Sequence, residues 1–250
     1  MVVHFVGAGP GAPDLITQRG AALLARADTV IYAGSLVNRA LLGLCKEGCS
    51  LYDSARMTLE QVLEVMEQNR EQELVRLHTG DPCLYGAVRE QMDALDRLGI
   101  PYDCTPGVSS FCGAAAALEA EYTLPGVSQS VIITRMAGRT PVPERESIAA
   151  LAVHGATMVI FLSAGMLEEL QAELLKGAYT SETPAALVYK ATWPEEKIVR
   201  CSLGTLARTG REHGITKTAL VLVGDFLSAG YRRSKLYDPT FTTGYRRGEP

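Results

Sequence analysis

A short apolar run that empties into a loop of glycines and prolines opens the chain: Val3-His4-Phe5-Val6-Gly7-Ala8-Gly9-Pro10-Gly11-Ala12-Pro13-Asp14-Leu15-Ile16-Thr17. It predicts a buried strand followed by a stiff turn that a ligand can approach. Glycines 7, 9 and 11 allow positive φ and close contact with the main chain, while Pro10 and Pro13 fix φ. A loop of this kind at the carboxyl end of a first strand is where open α/β sheets bind small molecules. Gly7-x-Gly9-x-x-Ala12 also fits a loose dinucleotide fingerprint, the mark of a nicotinamide oxidoreductase. Two features oppose that reading. The helix should open at the third small residue, whereas Pro13 and Asp14 intervene and the helical pattern starts near Thr17. The second strand should end on an acid that holds a ribose, whereas it ends Ile31-Tyr32-Ala33-Gly34.

With 250 residues, the chain suffices for one large domain or two of ordinary size. No apolar run reaches the roughly 18 residues of a membrane span, and no basic segment precedes an apolar one at the N-terminus. The expectation is a cytoplasmic protein with no secretory signal and no membrane partner. A net charge of −4 argues against nucleic acid as a partner. Between Tyr231 and Pro250, however, five basic residues (Arg232, Arg233, Lys235, Arg246, Arg247) face only Asp238 and Glu249. Such a tail reads as a solvated arm, or as one that reaches an anionic ligand or a neighbouring subunit. The six cysteines form no C-x-x-C pair, and no histidine cluster completes a zinc-like spacing. Reduced thiols and no metal site are expected. His4 and His78 fall in apolar strands and read as satisfied core residues.

Strand and helix patterns alternate along the chain, which places it in the α/β class. Thr17 to Arg26 has one apolar face, and Thr29 to Tyr32 is a short strand. Thr58 and Gln61 form a capping-box pair, followed by Leu59, Val62, Leu63 and Met66 at buried-helix spacing. Leu74 to His78 is a strand that runs into Thr79-Gly80-Asp81-Pro82. A helix marked by Val88, Met92 and Leu95 ends at Gly99. Tyr102 to Thr105 is a strand, Pro106-Gly107 a third loop, and Ser109 to Ala120 a small-residue helix. In the second half Val131 to Thr134, Thr157 to Leu162, Ala186 to Tyr189 and Ala219 to Val223 read as strands. Met166 to Leu175 and Leu203 to His213 read as helices. Lys197 to Cys201 should pair with 186–189 across the turn Trp193-Pro194-Glu195-Glu196. The best boundary lies between Pro106 and Pro125, giving two α/β domains with a ligand cleft between them.

Three loops rich in glycine and proline, 7–13, 79–82 and 106–107, follow strands of the first half. In a mainly parallel sheet they converge on one edge. They offer backbone groups and few reactive side chains, which suits a ligand that carries its own chemistry. Asp81 is the one acid embedded there. Its carboxylate either caps neighbouring N–H groups or meets a ligand. Tyr85, just beyond, reads as core packing, with a place in a pocket wall as the alternative.

Taken together, Gly7 to Thr17, Gly80-Asp81-Pro82 and Pro106-Gly107-Val108-Ser109-Ser110 resemble the corrin/porphyrin (tetrapyrrole) methyltransferases. The resemblance covers residues 1 to about 228. It implies a kidney-shaped fold of two α/β domains with S-adenosylmethionine in the cleft between them. The implied domains are 1–112, 113–228 and a basic extension 229–250. Segments 32–37, 78–82, 134–144 and 189–197 resemble the branch that methylates C11 of precorrin-4 or cobalt-precorrin-4 in cobalamin biosynthesis. Relatives acting on uroporphyrinogen carry Tyr-Asp-Arg-Leu-Val after the second strand and a lysine after the third. This chain has Tyr32-Ala33-Gly34-Ser35-Leu36-Val37 and Asp53-Ser54-Ala55 there. The rival readings are a methyltransferase of the same fold acting elsewhere on the corrin ring, and the nicotinamide oxidoreductase.

The resemblance further implies cofactor contacts from Pro10, Thr79, Gly80, Asp81, Leu84, Ser109, Ser110, Ser163, Ala191, Thr218 and Ala219. Asp81 and Ser35 are candidates for orienting the reactants, with no catalytic nucleophile or base assigned. The substrate would be a small-molecule tetrapyrrole bearing many carboxylates. Arg135, Arg139 and Lys190 are the candidates to hold them, arginine having the bidentate fork for that task. A homodimer is also implied.

Overall fold

Strands buried on both faces read as continuous apolar runs, because helices cover both sides of a parallel sheet. That is why Val3–Gly7 (β1), Thr29–Tyr32 (β2) and Leu74–His78 (β4) are buried at every position. The computed structural model describes residues 2–228 and 230–249. The chain divides into two compact units, Met1–Ala114 with Lys190–Glu196, and Ala115–Tyr189 with Lys197–Pro250. The division thus falls two residues past Cys112. The segment Lys190–Glu196 joins the first unit, and residues 230–249 group with the second unit. Ala229 and Pro250, the ends of the expected extension, lie outside the described residues.

The first unit runs β1, α1 (Gln18–Arg26), β2, β3 (Ser50–Asp53), α2 (Leu59–Gln68), β4, α3 (Arg89–Leu98), β5 (Tyr102–Thr105) and the start of α4 (Ser110–Leu118). Its sheet has the order β3-β2-β4-β1-β5, with every pair parallel. Thr17 caps α1 through Gly20 N–H, and Thr58 and Gln61 close the expected capping box on α2. Helix α1 packs on one face with Val6, Val30, Val75 and Leu77. Helices α2 and α3 pack on the other with Val3, Phe5, Ile31 and Leu74. The chain therefore leaves β1 toward one face and the adjacent β4 toward the opposite face. That is a topological switch point, outside whose carboxyl ends such sheets bind ligands.

The second unit holds β6 (Val131–Arg135), α5 (Ile148–Ala152), β7 (Thr157–Phe161), α6 (Leu167–Leu174), β8 (Pro184–Tyr189), β9 (Lys197–Ser202), α7 (Leu206–Glu212) and β10 (Ala219–Val223). The sheet order is β6-β7-β10-β8-β9; only β6–β7 is parallel. Helices α5 to α7 pack on one face around Met158, Ile160, Leu187 and Val221. As expected, β8 and β9 are antiparallel, Tyr189 facing Lys197. Three details differ from the sequence reading. Leu162 takes φ +54 and ends β7 one residue early. Pro184 opens β8, a first strand position that needs no N–H donor. Residues 203–205 form a 3-10 turn ahead of α7.

Two polar side chains on β4 face the α2/α3 side of the sheet, in alternation with Val75 and Leu77. Arg76, buried, donates from Nε to Gln91 Oε1 (3.1 Å) and from Nη1 to the Ile31 carbonyl (3.3 Å). His78, 4% exposed, stacks on Phe5. His4 is satisfied by Asp103 and Glu73, but His78 Nε2 is buried without a partner, contrary to the expectation for both histidines. Burial, and then the Arg76 cation, push the His78 imidazole from 6.5 down to about 3. The fold thus rejects a proton that the unfolded chain takes up. Stability is complete above pH 6.5 and falls as pH drops from there toward 3, at a slope of up to about 1.4 kcal/mol per pH unit. Urea midpoints of the wild type and His78→Phe between pH 7.5 and 5 should diverge, with the variant flatter. Parallel curves would show that His78 is not the group responsible.

Candidate functional site

Three glycines meet where the loops after β4, β1 and β5 leave adjacent strands. A Cβ on Gly7 would sit 2.5 Å from Gly107 Cα and 2.6 Å from the Gly80 carbonyl oxygen. A Cβ on Gly107 would sit 2.7 Å from Gly7 Cα, with Gly80 O nearer still. No side chain fits between these backbones. Gly9 and Gly80 bridge the first two loops reciprocally: Gly9 N–H donates to Gly80 O (3.2 Å) and Gly80 N–H to Gly9 O (2.8 Å). Ala8 N–H donates to His78 O (2.7 Å).

Asp81 joins the remaining pair. Its Oδ1 accepts from Cys83 N–H (2.8 Å) and its Oδ2 from Gly107 N–H (2.9 Å). Desolvation raises its pKa, but the bonds from Cys83 and Gly107 outweigh this and hold the carboxyl below its ordinary value. The capping role is therefore what the geometry displays: Asp81 clamps loop 79–82 to loop 106–107. Thr79 Oγ1 donates to Leu36 O (3.3 Å), tying in the turn that holds Ser35. That turn is fixed from its other side by Asp53, whose Oδ1 accepts from Gly34 N–H (3.2 Å) and Ala55 N–H (3.0 Å). Ser109 is buried and its carbonyl accepts from Cys112 and Gly113 N–H as α4 begins. Tyr85, expected in the core, is 45% exposed.

Segment 190–196 completes the first unit. Trp193 Nε1 donates to the Pro10 carbonyl (3.1 Å), and Thr192 Oγ1 accepts from Ala12 N–H (3.0 Å). Glu196 holds Thr192 N–H (2.6 Å). The Lys190 ammonium lies 5.2 Å from the Trp193 ring centroid and 3.5 Å from Glu195 Oε2. Ala191, between them, is buried.

The candidates of the second unit are structurally employed as well. The Ser163 hydroxyl donates to Phe161 O (2.7 Å) and accepts from Met136 N–H (2.9 Å). Arg135 turns its guanidinium onto its own loop, donating to the carbonyls of Met136 (3.3 Å), Thr140 (3.2 Å) and Pro141 (2.8 Å). Arg139, on that loop, is exposed, as is Thr218; Ala219 is buried at the start of β10.

Backbone strain falls mostly at the same places, with Glu119 (φ +52), just past α4, as the exception. Tyr85, Ala87, Leu162, Lys190, Thr192 and Thr218 have φ between +47° and +69° without being glycine. Each lies within three positions of Leu84, Ser163, Ala191 or Ala219. Such conformations persist where the surroundings over-determine them, and they gather at ligand sites. Among the described residues no group of three or more His, Cys, Asp or Glu side chains could hold a metal ion. The sequence reading missed Trp193 and Thr192 as partners of the opening loop. Segment 189–197 stands out by its resemblance and its single tryptophan, but nothing in it points to Pro10 or Ala12 as partners.

Glycine-stacked loops at a parallel-sheet switch point, in a chain whose second sheet is mostly antiparallel, define an α/β scaffold built to bind a small molecule. The chain belongs to the Tetrapyrrole (Corrin/Porphyrin) Methylases, whose profile matches residues 2–207. The cobalt-precorrin-4 C(11)-methyltransferase of Methanocaldococcus jannaschii is 50% identical over 248 residues, 98% of this chain and 96% of that protein. The X-ray structure of a cobalamin biosynthetic enzyme, cobalt precorrin-4 methyltransferase, superimposes with a TM-score of 0.88 at 44% identity, covering 91% and 96% of the two chains. Uroporphyrin-III C-methyl transferase from Thermus thermophilus, solved with S-adenosyl homocysteine, gives 0.76 at 26% identity, covering 91% and 94%.

Proposed function

We propose that this chain is an S-adenosylmethionine-dependent C-methyltransferase that acts at C11 of precorrin-4 or cobalt-precorrin-4, in cobalamin biosynthesis in the cytoplasm. The observation that carries the reading is the loop cluster around Gly7, Gly80 and Gly107, in a chain half identical to a relative of that name. These loops present main chain where side chains are excluded. That fits a cofactor recognised through backbone groups, one that brings its own activated group.

When bound, S-adenosylmethionine would supply a methyl group activated on a sulfonium, to be taken up by an electron pair of C11 with S-adenosylhomocysteine as the leaving group. The protein's task is alignment and exclusion of water, which is proximity catalysis. Asp81 keeps two of the binding loops at fixed separation. Thr79, Gly80, Leu84, Ser109 and Ser110 present themselves from those loops. Ala191, Ser163, Thr218 and Ala219 are assigned to the same cofactor by the family resemblance. Titration calorimetry with S-adenosylhomocysteine, followed by mass and NMR analysis of the product from each substrate, tests the reading. A new methyl at another ring carbon would reassign the position, and absence of binding would overturn the class.

Arg139 and Lys190 are proposed to meet the substrate's carboxylates, and Arg135 to hold the loop that carries Arg139. Arg139→Ala should raise the KM for the tetrapyrrole roughly tenfold, as for a lost charge-assisted hydrogen bond. Affinity for S-adenosylhomocysteine should stay within twofold, and the effect should shrink at high salt. An unchanged substrate KM would remove Arg139 from the site. The chain is further proposed to be a homodimer. Light scattering should give about twice the 26.9 kDa chain mass, and a monomer mass across a concentration series would exclude it.

A further inference from the structure

Three successive residues of the opening loop have their backbone held by side chains from elsewhere in the first unit. The Pro10 carbonyl accepts from the Trp193 indole, the Gly11 carbonyl from Asn38 Nδ2 (2.9 Å), and Ala12 N–H reaches Thr192. The Trp193 ring also covers Gly11 itself. A Cβ at that position would lie 2.9 Å from Cγ of the ring, with Cδ1 and Nε1 closer. Gly11 has no positive φ, so its glycine is required by the ring and not by the backbone. The segment that delivers the ring is strained: Lys190 has φ +47 and Thr192 φ +69, and the Glu196 carboxylate fixes Thr192 from below. A strained segment that aims two adjacent side chains, Thr192 and Trp193, at one stretch of backbone is a preorganising device.

We infer that Trp193 is a positioning residue for methyl transfer, seated on Gly11 and bonded to Pro10 so that the opening loop stands ready in its ligand-binding shape. The inference rests on the functional reading above, in which this loop borders the cofactor. The indole takes one of the two lone pairs of the Pro10 carbonyl and so fixes where that oxygen points. The device also carries its own reporter, since Trp193 is the chain's single tryptophan.

The test is a double-substitution cycle of Gly11→Ala and Trp193→Ala, read by calorimetry with S-adenosylhomocysteine. Each single variant should weaken binding at least tenfold. The double variant should be no weaker than Trp193→Ala alone, because the added methyl then occupies space the ring has left. Gly11→Ala alone should also shift the tryptophan emission to the red as the ring is expelled. Trp193→Phe keeps an aromatic ring in the seat and guards against a folding failure; loss of the indole N–H together with part of the ring should weaken binding roughly threefold to tenfold. Its melting temperature should stay close to that of the wild type. Losses that multiply in the double variant, or native affinity and emission in Gly11→Ala, would overturn the positioning role. Failure of the wild type to bind S-adenosylhomocysteine would instead overturn the functional reading, and this inference with it.

Discussion

Gly107→Ala should abolish measurable binding of S-adenosylhomocysteine and lower the melting temperature, although the added group is one methyl. That methyl has nowhere to go. It meets the Gly80 carbonyl oxygen and Gly7 Cα, both backbone atoms of neighbouring loops. Rotamer changes cannot relieve a backbone clash, so β1, β4 and β5 would have to part at their carboxyl ends. Overpacking of this kind typically costs ~1–3 kcal/mol, occasionally more. For a domain of this size each kcal/mol shifts the melting temperature by roughly 2–4 °C. Gly43 provides the control, since a Cβ there meets nothing within 4 Å. Gly43→Ala should bind and melt as the wild type does. Native affinity in Gly107→Ala would show that the loops can move apart freely, and that the close approach of the glycines is not what shapes the site.

Asp81→Ala should cut kcat/KM by two orders of magnitude or more, with a smaller loss of stability. The substitution removes the acceptor of the Cys83 and Gly107 N–H groups; water can reach the exposed Cys83 N–H, so the loss in stability comes mainly from the part-buried Gly107 N–H and stays at ~1 kcal/mol. Loop 79–82 is then released from loop 106–107 while the underlying strands stay paired. The pH dependence follows from the depressed carboxyl. A carboxylate held below its ordinary value contributes stability above the unfolded pKa of 3.8, and that contribution is lost as pH falls through the lower folded value. The wild type should therefore bind S-adenosylhomocysteine with little pH dependence between pH 5 and 8. Asp81→Asn keeps the shape and one acceptor, and it should fall between the wild type and Asp81→Ala. Equal, full activity in Asp81→Asn and Asp81→Ala would mean the clamp is dispensable.

Much of this is legible in the chain because its punctuation is local. Gly7 to Pro13, Thr79 to Pro82 and Pro106-Gly107 each announce a loop after a strand, and parallel pairing does bring those strand ends to one edge. The Thr58–Gln61 pair marks a helix start because both partners lie within one turn. The hidden parts depend on partners distant in sequence. No local pattern says that Asp81 Oδ2 accepts from Gly107, or that Asp53 holds the turn at Gly34. An arginine directly after a strand looks available to a substrate, yet the Arg135 guanidinium binds carbonyls up to six residues ahead. His78 reads as a satisfied core residue, and only packing reveals that one of its nitrogens has no partner.

The interleaved path of the chain bears on how the protein is made. The strands of the first sheet are all present by Thr105, yet the covering of the opening loop comes from Trp193 and Thr192. Synthesis proceeds from the N-terminus and domains generally fold as they emerge. The first sheet can therefore pair early, with its ligand loop held by Gly80 and Asn38 but still without Thr192 and Trp193. That loop receives its seat only after residues 115–189 of the second unit have been made, so the positioning role inferred for Trp193 places competence for the cofactor late in synthesis, well after the first sheet is complete.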